Sequence, residues 1–165
     1  MKKLYLVRHA KSSWKYRELR DFERPLKKRG IKDAELISEH LSGKISCPDY
    51  WISSPAKRAW ETAKIFAKNL KCTEDHIKEQ PGIYASSVNE MLTLILSFPD
   101  DADEVMLFGH EPTLSYFCEY LSTRTFDKVP TSGVVAFTFD IQNWNQIKAN
   151  SAHLDFFIYP KMFRA

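Results

Sequence analysis

A chain of 165 residues is long enough to bury one sizeable core and shorter than two domains usually need, so residues 1–165 are expected to form a single domain. Hydrophobic residues make up 44% and charged residues 27%, and the longest apolar runs have only strand length, which excludes a membrane span. A formal charge of +3, with lysines interspersed among acids, points to a solvated surface rather than a nucleic-acid track and leaves acidic ligands compatible.

The start, Met1-Lys2-Lys3, is basic as a signal peptide would be, but Arg8, His9 and Lys11 interrupt the apolar segment too early for secretion. Cys47, Cys72 and Cys118 lie far apart with no Cys-x-x-Cys pair. That pattern fits reduced thiols in a cytoplasmic protein better than a disulfide frame or a zinc site.

In chain order, Lys3 to Val7 reads as a strand, and a charged loop follows that reaches Pro25; loops of that length usually carry function. From Lys28 to Leu41, Ile31, Ala34, Ile37 and Leu41 recur at helical spacing, with Gly43 as a stop. Tyr50 to Ile52 reads as a second strand. Ser54 can then cap, and Pro55 can open, a helix with the stripe Ala56, Ala59, Trp60, Ala63, Phe66 and Leu70, which leaves Arg58 in the first turn. A short strand and turn are expected between Ile77 and Tyr84, then a helix around Met91 to Phe98 that ends at Pro99. Val105 to Phe108 is a fully apolar strand ending in Gly109-His110-Glu111-Pro112, and Leu114, Phe117, Cys118 and Leu121 stripe the helix after it. Val134 to Asp140 and His153 to Tyr159 read as an antiparallel pair at the sheet edge, joined through Asn143-Trp144-Asn145. The alternation argues for an α/β domain with a largely parallel sheet.

Three strand-to-helix junctions carry conspicuous polar groups: Arg8 with His9, Arg58, and His110 with Glu111. Ligands of open parallel sheets bind at the carboxyl ends of strands, so these residues are placed to converge on one pocket. Guanidinium forks match phosphate oxygens, and the helix starts near Pro55 and Pro112 add partial positive charge. A neutral imidazole can attack phosphorus, and neighbouring guanidiniums keep it neutral by disfavouring imidazolium. A second histidine and the arginines can then stabilise the transition-state charge without a metal or other cofactor.

At these residues the chain resembles the histidine phosphatase, or phosphoglycerate mutase-like, superfamily, and within it the SixA-type phosphohistidine phosphatases. Leu6-Val7-Arg8-His9-Ala10-Lys11-Ser12 resembles the N-terminal motif, Ser53 to Ala63 with Arg58 the second block, and Phe108-Gly109-His110 the third. Arg24-Pro25-Leu26 with Arg29-Gly30, and Thr131-Ser132-Gly133, are similar to segments of the SixA-type branch, so the resemblance runs over about residues 3 to 140. It implies one histidine phosphatase domain folded as a three-layer α/β/α sandwich, with a mostly parallel central sheet and an antiparallel edge. It also implies phosphohistidine hydrolysis in two steps, with His9 as the residue phosphorylated and Arg8, Arg58 and His110 on the phosphate. Ala10, Lys11 and Lys15 depart from the mutase pattern, and so does the short stretch between Arg58 and His110.

Arg24 is a further candidate phosphate ligand and Ser12 a weaker one, turn capping being its ordinary role. Glu111 is either a general acid for the leaving oxygen or a complement to the N-terminus of the helix after Pro112. For Arg58 the ordinary alternative is a surface salt bridge with Glu61 or Glu35; for Trp14, Tyr16, Phe22 and Tyr84 it is packing. His40, His76 and His153 are expected to have no catalytic role. The expected partner is a phosphorylated protein or small phosphorylated substrate, with neither nucleic acid nor membrane. The alternatives are a phosphatase of small phosphomonoesters and a non-catalytic module that binds phosphoproteins.

Overall fold

The computed structural model describes residues 1–164. In β1 (Lys2–Arg8), Leu4 and Leu6 face one side and Tyr5 and Val7 the other, and none is more than 2% exposed. A strand apolar on both faces has to be covered on both. It pairs in parallel with β4 (Glu104–Gly109) and antiparallel with β5 (Val134–Phe139). With β2 (Tyr50–Ser53), β3 (Ile77–Glu79) and β6 (His153–Ile158) the sheet has six strands in the order β3-β2-β4-β1-β5-β6. The first four strands of the chain are mutually parallel, and β5 runs against them at the edge it shares with β6.

Two separate cores sandwich the sheet. On one face Tyr5, Val7 and Phe108 pack against α1 (Lys28–Ser42) and α2 (Lys57–Asn69) through Ala34, Ile37 and Phe66. On the other, Leu4, Leu6 and Leu107 meet α3 (Val88–Leu96) and α4 (Thr113–Leu121) through Met91, Ile95 and Phe117. The architecture is the three-layer α/β/α sandwich that the sequence leads one to expect, and the C-terminal ends of β1, β2 and β4 lie side by side. Among the described residues no helix is long and apolar enough to cross a membrane.

Three local readings are corrected. Ile31 is 38% exposed rather than on the core stripe of α1, because the helix is turned so that Gly30 meets the loop after β1. A Cβ on Gly30 would run into the Lys11 carbonyl oxygen, an approach only glycine permits. Helix α2 begins at Lys57 rather than Pro55, and Ser54 Oγ accepts from the Ala56 amide just ahead of it. Cys47 and Cys72 form a disulfide instead of remaining reduced, with their Cα atoms 5.9 Å apart. Cys47 precedes β2 and Cys72 follows α2, and since α2 folds back along β2 its far end returns beside the start of the strand. Cys118 is buried in the α4 side of the core.

Candidate active site

The site is assembled where β1, β2 and β4 end. Arg8 is the last residue of β1 rather than part of a loop, and its amide donates to the Gly133 carbonyl at 3.1 Å. The His9 amide donates to the Gly109 carbonyl at 3.2 Å, so β4 holds the histidine's backbone. From the other side the Ser132 amide donates to the carbonyls of Arg8 and His9, at 3.1 and 3.2 Å. Ser132 has a φ of 59°, a left-handed conformation that its paired amide helps to hold. The Ala10 amide donates to Thr62 Oγ1 of α2, whose hydroxyl in turn donates to the Arg58 carbonyl. One strand end is thus tied to α2, β4 and the 129–133 segment.

His9 is 7% exposed, and its Nδ1 lies 2.7 Å from the Ala10 carbonyl oxygen. A carbonyl only accepts, so Nδ1 carries the ring proton and Nε2 keeps its lone pair. Burial, with smaller contributions from His110, Arg58 and Arg8, pushes the His9 pKa down to about 3, against the pull of the Ala10 bond. The ring is neutral and its free nitrogen is nucleophilic at neutral pH. His110 sits beside it, ring centroids 5.2 Å apart, with Nε2 at 2.8 Å from Ser54 Oγ. Burial first and Arg58 second bring its pKa down to about 4, while Asp21 acts in the opposite sense. Its Nδ1 is buried without a partner.

Arg58 is 7% exposed, and its guanidinium binds a residue the sequence reading passed over. Its Nη1 donates to the Asp21 carbonyl at 2.7 Å and its Nη2 to Asp21 Oδ2 at 3.0 Å; neither Glu61 nor Glu35 is its partner. Tyr84 donates its hydroxyl to the same Oδ2 at 2.8 Å and sets its ring edge-on to His110, so it belongs to the site and not only to packing. Burial alone would raise the Asp21 carboxyl, but the bonds and charges of Tyr84, Arg58 and Arg24 outweigh it and hold Asp21 below the usual carboxylate range. Arg24 also reaches Asp21, hydrogen-bonds Ser12 Oγ and lies over the Trp14 ring. Arg8 donates from Nη1 to the Val129 carbonyl at 3.1 Å and leaves Nε unpartnered.

His9, Arg8, Arg24, Arg58 and Ser12 therefore line one hollow of about 380 Å³, and His110 adjoins His9. Unpartnered Arg8 Nε, Arg24 Nε, His110 Nδ1 and Ser132 Oγ all belong to these residues or to the segment that braces them. Buried donors without acceptors are costly, and an anion bearing several oxygens would satisfy them. Glu111 stands differently. Its Oε1 accepts from the Ser115 amide at 2.8 Å and its Oε2 from the Val129 amide at 3.1 Å, so each oxygen accepts a backbone hydrogen bond. The sequence signal for Asp21 was present: an acid three residues before Arg24, in the loop that has to fold over the strand ends. His40, His76 and His153 are exposed and lie outside the hollow. Among the described residues no group of three or more His, Cys, Asp or Glu could hold a metal ion.

Residues 4–83 match the family model of the Histidine phosphatase superfamily (branch 1). An uncharacterized chloroplastic protein of Arabidopsis thaliana is 44% identical over 117 residues, 66% of this chain; the match spans about half, 54%, of that protein's length. Among solved structures, SixA from Agrobacterium tumefaciens, a proposed phosphohistidine phosphatase, is 26% identical with a TM-score of 0.80, covering 96% of this chain and 98% of its own. The protein histidine phosphatase SixA complexed with tungstate shares the fold, at 18% identity and a TM-score of 0.84 over 98% of this chain and 99% of that one. The matched segment contains Arg8, His9, Arg24 and Arg58, and the fold brings His110 to them from beyond it. Residues 4–83 thus carry the sequence of the histidine phosphatase superfamily, and nearly the whole chain has the fold of SixA.

Proposed function

We propose that the protein is a metal-independent phosphatase that hydrolyses phosphohistidine through a covalent intermediate on His9. The observation that carries this reading is the bond from His9 Nδ1 to the Ala10 carbonyl, which leaves Nε2 unprotonated among cations and at the end of a strand. In the first step Nε2 attacks phosphorus and a new P–N bond forms. The bond from phosphorus to the substrate's ring nitrogen breaks, and that ring departs as neutral imidazole once its other nitrogen is protonated. In the second step water attacks phosphorus, the bond electrons return to Nε2, inorganic phosphate leaves and one proton goes to solvent.

Arg8, Arg24 and Arg58 take the phosphoryl oxygens and offset their charge, and His110 donates from Nδ1 in the tautomer that carries its proton there. Ser12 orients Arg24 through its hydroxyl. Asp21 occupies Arg58 before substrate arrives, and Tyr84 holds that carboxylate. The choice of leaving group is supported by the two nearby carboxylates. Glu111 is spent on two amides and Asp21 is held ionised, so neither is set to protonate an alkoxide, whereas a protonated imidazole leaves without such help. We assign Glu111 to bracing the Val129 segment and α4 rather than to acid catalysis.

The test is a trapping experiment. Protein incubated with a ³²P-phosphohistidine polypeptide should acquire acid-labile, base-stable label, and His9→Ala should acquire none while its turnover falls by roughly 10³-fold or more. Label that persists in His9→Ala overturns the assignment.

A further inference from the structure

The formal charge of +3 is unevenly placed. Beside the hollow at His9 a second cleft of about 500 Å³ opens, and Arg8, Lys11 and Thr131 line both. Lys128 reaches it from the segment before β5, and Lys161 and Arg164 from the turn that follows β6. The one carboxylate in its wall, Asp33, is buried and already taken by Arg164 at 2.6 Å. Among the described residues no carboxylate lies within 4.0 Å of Lys11, Lys128 or Lys161. The basic surface then continues along α1, where Lys28 and Lys32 line an adjoining hollow shared with Arg164.

Cations gathered without counterions repel one another, a cost that an anionic partner removes and that long-range attraction turns into faster encounter. The band crosses α1, the 128–131 segment and the C-terminal turn, which is broader than one small anion needs. On the loop over the catalytic hollow, Trp14 is 73% and Tyr16 45% exposed, aromatic surface of the kind enriched where proteins meet. We propose that this band docks an acidic stretch of polypeptide next to the phosphorylated side chain, so that the protein selects phosphoproteins whose modified residue is flanked by clustered carboxylates. This deepens the phosphohistidine reading, on which it rests only for which side chain enters the hollow at His9.

Two phosphohistidine peptides of equal length, one flanked by aspartates and the other by asparagines, test it. With the full-length protein at low ionic strength, anisotropy titration should show the aspartate peptide binding about tenfold more tightly, with the preference fading at high salt. Lys128→Glu combined with Lys161→Glu should abolish the preference and leave turnover of free phosphohistidine unchanged, which also certifies the variant's fold. Equal affinity of the wild-type protein for the two peptides overturns the proposal without recourse to any variant. So does a preference that survives the double substitution, or an oligonucleotide that displaces the aspartate peptide at lower concentration than a matched polyaspartate does. Tight, selective binding of the aspartate peptide with no release of phosphate from either peptide would leave the docking surface standing and remove the phosphohistidine reading.

Discussion

Both ends of the central sheet bury a cation, and they treat it in opposite ways. At the start of β1, Lys2 is 2% exposed, and its ammonium donates to Asp103 Oδ1 at 2.9 Å and to the Asp100 carbonyl at 2.6 Å. Nearby, Asp49 accepts from the amides of both Asp103 and Glu104, and the Cys47–Cys72 disulfide ties the start of β2 to the end of α2. At the end of β1, Arg8, Arg24, His110 and Ser132 each keep a buried polar atom without a partner. A buried charge by itself therefore says little about function. What separates the two ends is whether the fold supplies the partner or leaves room for one.

If the comparison holds, substitutions at the C-terminal end should cost activity and substitutions at the other end stability. The largest effect is expected from Arg58→Ala, which removes a proposed phosphate donor and frees Asp21. Turnover should fall by about 10²–10³-fold, with the denaturation midpoint little changed, since the substitution also relieves repulsion with Arg8 and Arg24. A large loss of stability with near-normal turnover would make Arg58 a structural partner of Asp21. At the opposite end, Cys47→Ser opens a loop of sequence separation 25 and should lower stability by about 3 kcal/mol in denaturant titration, leaving kcat unaltered. A change in kcat would show that the two ends are coupled.

Glu111 lies between these cases, in a catalytic junction but bonded like a structural group. Glu111→Ala orphans the amides of Ser115 and Val129, and should destabilise the protein by about 2 kcal/mol. Glu111→Gln should slow phosphomonoester and phosphohistidine hydrolysis by similar, small factors. A selective loss on the phosphomonoester would restore the general-acid role to Glu111.

The difference between the ends also explains what could be read in advance. The unbroken apolar run from Leu4 to Val7 and the stripe of α1 report their own burial, so the layers and the junction residues Arg8, His9, Arg58 and His110 are legible locally. Partners far apart in the chain are not. The Arg58 bond to Asp21 spans 37 positions, the Arg164 bond to Asp33 spans 131, and neither pairing leaves a periodic trace. Cys47 and Cys72 meet only because α2 doubles back on β2. The basic cleft is invisible for the same reason: its lysines, Lys11, Lys128 and Lys161, come from three distant segments.

A separate effect, read from pH rather than from turnover, follows from the two histidines that the site holds neutral. Against an ordinary value near 6.5, burial chiefly sets His9 at about 3 and His110 at about 4. As pH falls below 6.5 the unfolded chain takes up these protons and the native site does not, so the unfolded state binds more protons and stability declines as pH drops toward 3. Their neutral burial is therefore least costly above pH 6.5, and the loss is complete only below the native values. Stability measured from pH 7 to 4 should fall with decreasing pH, and His9→Ala should flatten the slope by removing one of the two groups. An unchanged slope would mean that His9 takes up its proton in the native site as readily as in the unfolded chain. The bond to Ala10 would then fix only which nitrogen carries the proton of the neutral ring, and burial and charge would not keep Nε2 free as the pH falls.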